Sequence, residues 1–159
     1  MYSIDPYFDP GEAVPSFGIV GAWRVDTSGQ LSDEFRHNPH YRPSPRSASL
    51  PEATDSVDEA LQLAATGYGT DAQLRNVLLS SSVYLVPGEG AGVVAYSDDR
   101  GDFFPVYTAP RHAPERSPSL IRVAFLELLT EIPSQASVYI NPGSRLSVRI
   151  PAADLRSSV

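Results

Sequence analysis

Thr54-Asp55-Ser56-Val57-Asp58-Glu59-Ala60-Leu61-Gln62-Leu63-Ala64-Ala65-Thr66-Gly67-Tyr68-Gly69-Thr70-Asp71-Ala72-Gln73-Leu74 is the stretch on which the fold turns. Val57, Ala60, Leu61, Ala64 and Ala65 fall at i, i+3, i+4, i+7 and i+8, one apolar stripe of a helix. Thr54, Asp55 and Ser56 are alternative N-caps, and Ser56 with Glu59 has capping-box spacing. Gly67 and Gly69 stop this helix because glycine accepts the left-handed turn that ends one. Thr70 with Gln73 starts a second, and Leu74, Val77 and Leu78 carry its stripe to the break at Ser80-Ser81-Ser82. A helical hairpin is therefore the first expectation.

Beyond it the period changes to two. Val83-Tyr84-Leu85-Val86, Val93-Val94-Ala95-Tyr96 and Phe103-Phe104-Pro105-Val106-Tyr107-Thr108 read as three strands of an antiparallel meander. The loop Gly88–Gly92 joins the first two and the polar hairpin Ser97–Asp102 the last two. Ser117-Pro118 has the N-cap and N1 pattern, and Leu120, Ile121, Val123, Ala124, Phe125, Leu126, Leu128, Leu129 and Ile132 are apolar nearly all round. That predicts a central core helix ending at Pro133. Val138-Tyr139-Ile140 and Leu146–Ile150 are two last strands about the turn Asn141-Pro142-Gly143-Ser144. Strands grouped between helices, without strict alternation, imply an α+β fold: a mixed, largely antiparallel sheet packed against three helices.

Upstream the chain is interrupted by proline. Residues 1–17 form an acidic tail with the aromatic pieces Tyr7-Phe8 and Phe17. Prolines at 6, 10 and 15 forbid a helix there. The tail is either a disordered leader or a docking segment lying on its own fold or on a partner. In residues 18–53, Ile19–Val25 reads as a strand, and Phe35–Pro51 as an extended Pro-rich arm crossing the surface with Tyr41 as its anchor. Residues 54–159 complete one compact domain with 18–53.

The chain has 159 residues, about one domain's length, with 19 acidic residues against 12 basic ones and a net charge of −7. That balance argues against nucleic acid and anionic membrane as partners, since both need a cationic face. Every basic residue is arginine. No cysteine is present, which excludes disulfides, zinc–thiolate sites and thiol catalysis. Leu120–Leu129 is too short to span a bilayer, and the start lacks the basic and apolar regions of a secretory signal, so a cytoplasmic location is expected.

No reactive motif assembles from spacing alone. His37 and His40 are separated by Pro39, which removes the helix that would let them share a metal, and only His112 remains as a third imidazole. There is no G-x-S-x-G elbow. A Ser–His–Asp set drawn from distant residues is available to most chains and assigns nothing. Gly88-x-Gly90-x-Gly92 precedes a strand rather than a helix, and no lysine exists to complete a phosphate loop. Asp98, Asp99 and Asp102 lack the calcium-loop spacing, and Arg100-Gly101-Asp102 is read as a solvated turn. Glu127 and Glu131, four apart, are read as the polar stripe of the expected core helix. No catalytic residue, metal site or cofactor is assigned.

Several segments resemble a known family. Gly21-Ala22-Trp23-Arg24-Val25-Asp26, Tyr41-Arg42-Pro43-Ser44-Pro45 and Asp58–Gly69 resemble the actinobacterial type VII secretion system-associated proteins. Val83–Pro87, Pro105–Thr108 and Val138–Ser144 are similar to the SseB amino-terminal domain, which those proteins carry. The resemblance covers roughly residues 21–155. It implies an SseB-like α+β domain over 54–159 and a link to secretion loci, with no known reaction. Thr108-Ala109 stands where SseB-like chains usually have threonine–serine. Type VII substrates usually carry a Trp-x-Gly turn and a tyrosine followed four residues later by an acid. Trp23 is followed by Arg24-Val25 and no tyrosine has that acid, so the chain looks like an accessory component rather than a substrate.

The expected function is a non-enzymatic accessory or adaptor protein that binds a secretion component or secreted substrate. Tyr7, Phe8, Trp23, Tyr41, Tyr68 and the turn Asn141, Pro142, Gly143 and Ser144 are its candidate anchors or binding residues. An immunity protein neutralising a basic toxin is the alternative, through charge complementarity. A hydrolase is a third reading, which needs two titratable groups within hydrogen-bond reach in a deep pocket.

Overall fold

Asp55 closes the N-terminus of the first helix: its side chain accepts the backbone N–H of Val57 and Asp58. Its choice over Thr54 and Ser56 follows from that double acceptance, which satisfies two of the orphan donors of the first turn. In the computed structural model, which describes residues 1–88, 92–117 and 119–157, helix α1 spans Ser56–Thr66 and ends at Gly67 with φ +77°. Helix α2 (Asp71–Leu79) opens with a complete capping box between Thr70 and Gln73. The expected hairpin is present on both counts.

Preceding the hairpin are three strands, β1 (Tyr2–Ile4), β2 (Ile19–Val25) and β3 (Leu31–His37), in an antiparallel sheet of order β1-β2-β3. β1 lies within the predicted tail, so the tail is a sheet edge that docks on its own fold. β3 was not expected. Its Ser32-Asp33-Glu34 run carries no apolar alternation, and pairing with β2 supplies the order that its sequence does not. The Pro-rich crossing segment therefore begins at Asn38, not at Phe35.

After α2 come β4 (Ser82–Leu85), β5 (Tyr96–Asp98), β6 (Gly101–Val106) and β7 (Ile121–Ala124). The chain ends with α3 (Phe125–Glu131), β8 (Ser137–Ile140), β9 (Val148–Pro151) and α4 (Ala152–Arg156). Two sequence expectations fail in this half. The apolar run from Leu120 is not one helix: Ile121–Ala124 pairs antiparallel with β4, with Val83 opposite Val123, and only Phe125–Glu131 is helical. β-branched Ile121 and Val123 suit a strand, and the long apolar run hid the change of period. Glu127 and Glu131 are both exposed on that short helix. Of the Ser117-Pro118 helix start, Pro118 lies outside the described residues.

The meander also fails. β4 takes β7 as its ladder partner, Val93 makes only an isolated bridge to Pro87, and the strand at 93–96 shrinks to Tyr96–Asp98. Of the loop Gly88–Gly92, residues 89–91 lie outside the described residues. β5 and β6 form the expected hairpin, and β6 lies parallel to β8, giving the order β5-β6-β8-β9. The fold is thus α+β with mostly antiparallel pairing, as expected, but split into three sheets and carrying four helices among the described residues rather than three.

The buried cluster draws on Val57 and Leu61 of α1, Leu74 and Leu78 of α2, Val83 and Leu85 of β4, and Phe104 and Val106 of β6. Phe125, Leu128 and Leu129 of α3, Ile132 and Ala136 of the connection after it, Val138 and Ile140 of β8, and Ala152 and Leu155 of α4 complete it. Each fully buried Leu or Val contributes about 1.5–3 kcal/mol. All of these residues follow position 56, so the β1–β3 sheet stands outside the core.

Candidate functional site

The tail is fixed by one carboxylate. Asp5 is fully buried, and it accepts the Tyr7 N–H at 3.0 Å, the Tyr41 hydroxyl at 2.7 Å and the Ser44 N–H at 3.1 Å. Burial alone would push its carboxyl up; the hydrogen bonds from Ser44, Tyr41 and Tyr7 outweigh that and hold it down at about 2. Around it the rings of Tyr7, Phe8, Phe17 and Tyr68 pack at centroid separations of 4.8–6.2 Å, in edge-on and tilted geometries. The Tyr68 hydroxyl donates to the Arg42 carbonyl at 2.9 Å. Gly18 is needed here, because a Cβ would sit 2.3 Å from the Phe8 ring. Four of the predicted residues, Tyr7, Phe8, Tyr41 and Tyr68, are thus brought together to clamp the tail and the arm to the α1–α2 loop.

Trp23 is elsewhere. It lies on β2 opposite Phe35, ring centroids 4.7 Å apart, and Phe35 in turn meets His37 edge-on. Trp23 is 40% exposed, Met1 67%, Tyr2 72% and Leu31 53%. Val25 is exposed as well. Among the described residues, four of the nine large exposed apolar side chains therefore sit on this one sheet, with Met1 just before it, among the exposed carboxylates of Asp26 and Asp33 and the Arg24–Glu34 ion pair at 3.1 Å.

The Asn141–Ser144 turn belongs to a third place, a polar seam between α1, the end of β6 and the β8–β9 connection. Asn141 is fully buried with φ +49°; its Oδ1 accepts the Thr108 N–H at 2.8 Å and its Nδ2 donates to Thr108 Oγ1 at 3.0 Å. Gly143 also has positive φ, +84°, and is exposed, while Pro142 is half-buried. Next along the seam, the Thr54 hydroxyl donates to Asp55 Oδ2 at 2.5 Å. Thr54 Oγ1 also lies 2.9 Å from His112 Nε2. On its other edge, His112 Nδ1 lies 2.9 Å from Ser144 Oγ. Asp58, itself buried, accepts the Thr54 N–H at 2.9 Å and stands 3.9 Å from His112 Nε2. Burial would raise the Asp55 carboxyl, but hydrogen bonds from Thr54, Asp58 N–H, Thr108 and Val57 N–H hold it below its ordinary value.

Two clefts flank the seam. A polar one of about 450 Å³ is lined by Thr54, Asp55, Ser81, Thr108, Ala109 and Arg122 among others. A smaller one of about 160 Å³ is lined by Asp58, Gln62, Arg111, His112, Ser144 and Leu146 among others. Ala109, at the position where the family resemblance leads one to expect serine, thus faces the larger cleft.

Spacing did not reveal the seam, since Thr54, His112 and Ser144 come from three distant segments. In the sequence His112 offers itself only as a metal ligand and Ser144 only as part of a turn. The single local signal was Asp55 as an N-cap. His37 and His40 are both exposed, and among the described residues no group of three or more His, Cys, Asp or Glu is placed to hold a metal ion. The Asp98–Asp102 hairpin is committed internally: Arg149 grips Asp98 at 2.8 and 2.9 Å, and the Ser97 hydroxyl donates to Asp102. Among the described residues no helix is long and apolar enough to cross a membrane. Comparison with family models, with curated proteins and with solved structures gives no match to this chain.

Proposed function

We propose that the protein is an accessory or adaptor component that works by docking another protein, in line with its resemblance to type VII secretion system-associated proteins. The observation that carries this reading is the β1–β3 sheet. It exposes Tyr2, Trp23, Val25 and Leu31 outside the core, where they add nothing to the central packing. Exposed carboxylates at Asp26 and Asp33 lie on this sheet and its β2–β3 turn, while Glu34 is already paired with Arg24 at 3.1 Å; the two acids outside that pair suit an apolar partner segment carrying basic residues. Trp23, its ring centroid 4.7 Å from that of Phe35, is the kind of exposed aromatic residue at which binding energy concentrates.

The test is affinity capture from a native lysate with the wild-type chain and with a Trp23→Glu, Leu31→Glu double variant. A secretion component or secreted substrate held by the first and released by the second is the expected result. Recovery of neither from the wild type would end the reading. The same acid-bordered surface also suits the immunity alternative; rescue of growth when a neighbouring toxin is co-expressed would favour that instead.

A further inference from the structure

Among the described residues, the seam at His112 holds chemistry that docking does not use. At one end of it stands Asp55, which accepts the N–H of Val57 and Asp58. Its carboxyl is ionised at neutral pH, because four donors point at it. A carboxylate has only lone pairs, so the Thr54 hydroxyl, 2.5 Å from Oδ2, must give its proton to Asp55. Thr54 Oγ1 then has only lone pairs to offer His112 Nε2 at 2.9 Å, and that nitrogen must carry hydrogen. In the neutral imidazole this leaves Nδ1 as the bare nitrogen. Nδ1 sits 2.9 Å from Ser144 Oγ, so the serine hydroxyl donates to it. With the imidazole in this neutral form the donation runs in one direction: Ser144 to His112, His112 to Thr54, Thr54 to Asp55.

That arrangement is what an activated serine requires: a base on the hydroxyl and a third group fixing the base's tautomer. A second carboxylate, Asp58, stands 3.9 Å from Nε2, placed to stabilise the imidazolium that forms when Nδ1 takes a proton. Ser144 is half-buried at the wall of the 160 Å³ cleft, in a turn that holds Asn141 and Gly143 at positive φ.

We propose that Ser144, with His112 as its base, is a nucleophile toward short-chain acyl esters. This goes beyond the docking reading and does not depend on it. Ser144 Oγ attacks the ester carbonyl carbon while its proton passes to His112 Nδ1. The tetrahedral adduct collapses, the C–O bond to the alcohol breaks, and the leaving alkoxide takes the proton from Nδ1. Water then attacks the acyl-serine, giving its proton to Nδ1. Collapse of that adduct returns the proton to Ser144 Oγ and releases the carboxylic acid. The cleft of about 160 Å³ suits a short acyl group, since a cavity of about that size holds a benzene-sized molecule. Leu146 supplies an apolar wall, and Asp58, Glu52, Arg111 and Arg145 are the charged groups that line the cleft with His112. Thr54, Asp55 and Asp58 are positioning residues, since each acts on the serine only through the imidazole.

The experiment is labelling of the folded chain with a small fluorophosphonate, read by intact mass and peptide mapping between about pH 5 and 9. The expected result is one adduct, on Ser144, absent in Ser144→Ala. Labelling should slow about 100-fold in His112→Gln, the usual worth of a general base. It should rise with pH, because only an unprotonated base can take the serine's proton. Thr54→Val removes the acceptor that fixes the tautomer, and it should displace this pH profile while thermal melting shows the variant folded. No adduct on Ser144, or equal labelling of wild type and folded His112→Gln, overturns the proposal. If His112→Gln does not fold, the wild-type pH profile decides: a flat profile overturns the proposal as well.

Discussion

Replacing Asp5 by Asn should release the tail and the arm together while leaving the core folded. Asn is the same shape, but its single carbonyl oxygen cannot accept from Tyr7, Tyr41 and Ser44 at once, and its amide hydrogens would face donors. The upper bound on the magnitude follows from the carboxyl itself, which is covered by its partners but lies close to the protein surface. Its drop from 3.8 to about 2 is worth at most about 2.5 kcal/mol of stability. The folded-state value is depressed, so this contribution is present above about pH 4 and is lost as pH falls toward 2. Because the core cluster lies wholly beyond residue 56, the loss is local rather than global. Amide hydrogen exchange is the assay: the Tyr7 and Ser44 N–H groups point at Asp5, and about 2.5 kcal/mol as the bound predicts protection weaker by at most about 70-fold in Asp5→Asn at neutral pH. Acidifying the wild type toward pH 2 should close that gap, whereas the variant should show no such dependence. Equal protection in the two proteins at neutral pH would refute the claim that this carboxylate holds the tail.

Two further outcomes follow from the same structure. Asn141→Ala strips the Thr108 N–H and hydroxyl of their buried partner, and should lower the urea unfolding free energy by about 2–4 kcal/mol. A loss under 1 kcal/mol would mean that the seam is not a structural joint. Gly21→Ala places a Cβ 2.4 Å from the Arg36 carbonyl oxygen and 2.5 Å from the Phe35 ring, so β2 and β3 must part. Emission from the single tryptophan, Trp23, should shift while the urea midpoint of the core stays unchanged.

The local rules that shape the helical hairpin were legible without the structure. The Thr70–Gln73 capping box, the glycine stop at Gly67 and the stripe of Val57 and Leu61 are interactions within four residues, and the sequence states them directly. The same rules misread Leu120–Ile132, because an apolar run buried on several sides has no readable period. There, the pairing of Val123 with Val83 decided between strand and helix. β3 is the reverse case: Ser32, Asp33 and Glu34 lack any strand pattern, yet β2 offers them a ladder.

The candidate sites divide along the same line. Aromatic side chains between prolines left the tail open between a disordered leader and a docking piece, and composition alone removed thiol and lysine chemistry. That Tyr41 and Ser44 share one carboxylate, 36 and 39 residues away, was a matter of tertiary structure. So was the meeting of His112 with Ser144 and Thr54, across 32 and 58 residues. Short-range chemistry is written in neighbouring residues. A hydrogen-bond relay has no spacing of its own and exists only once packing has brought distant segments within about 3 Å.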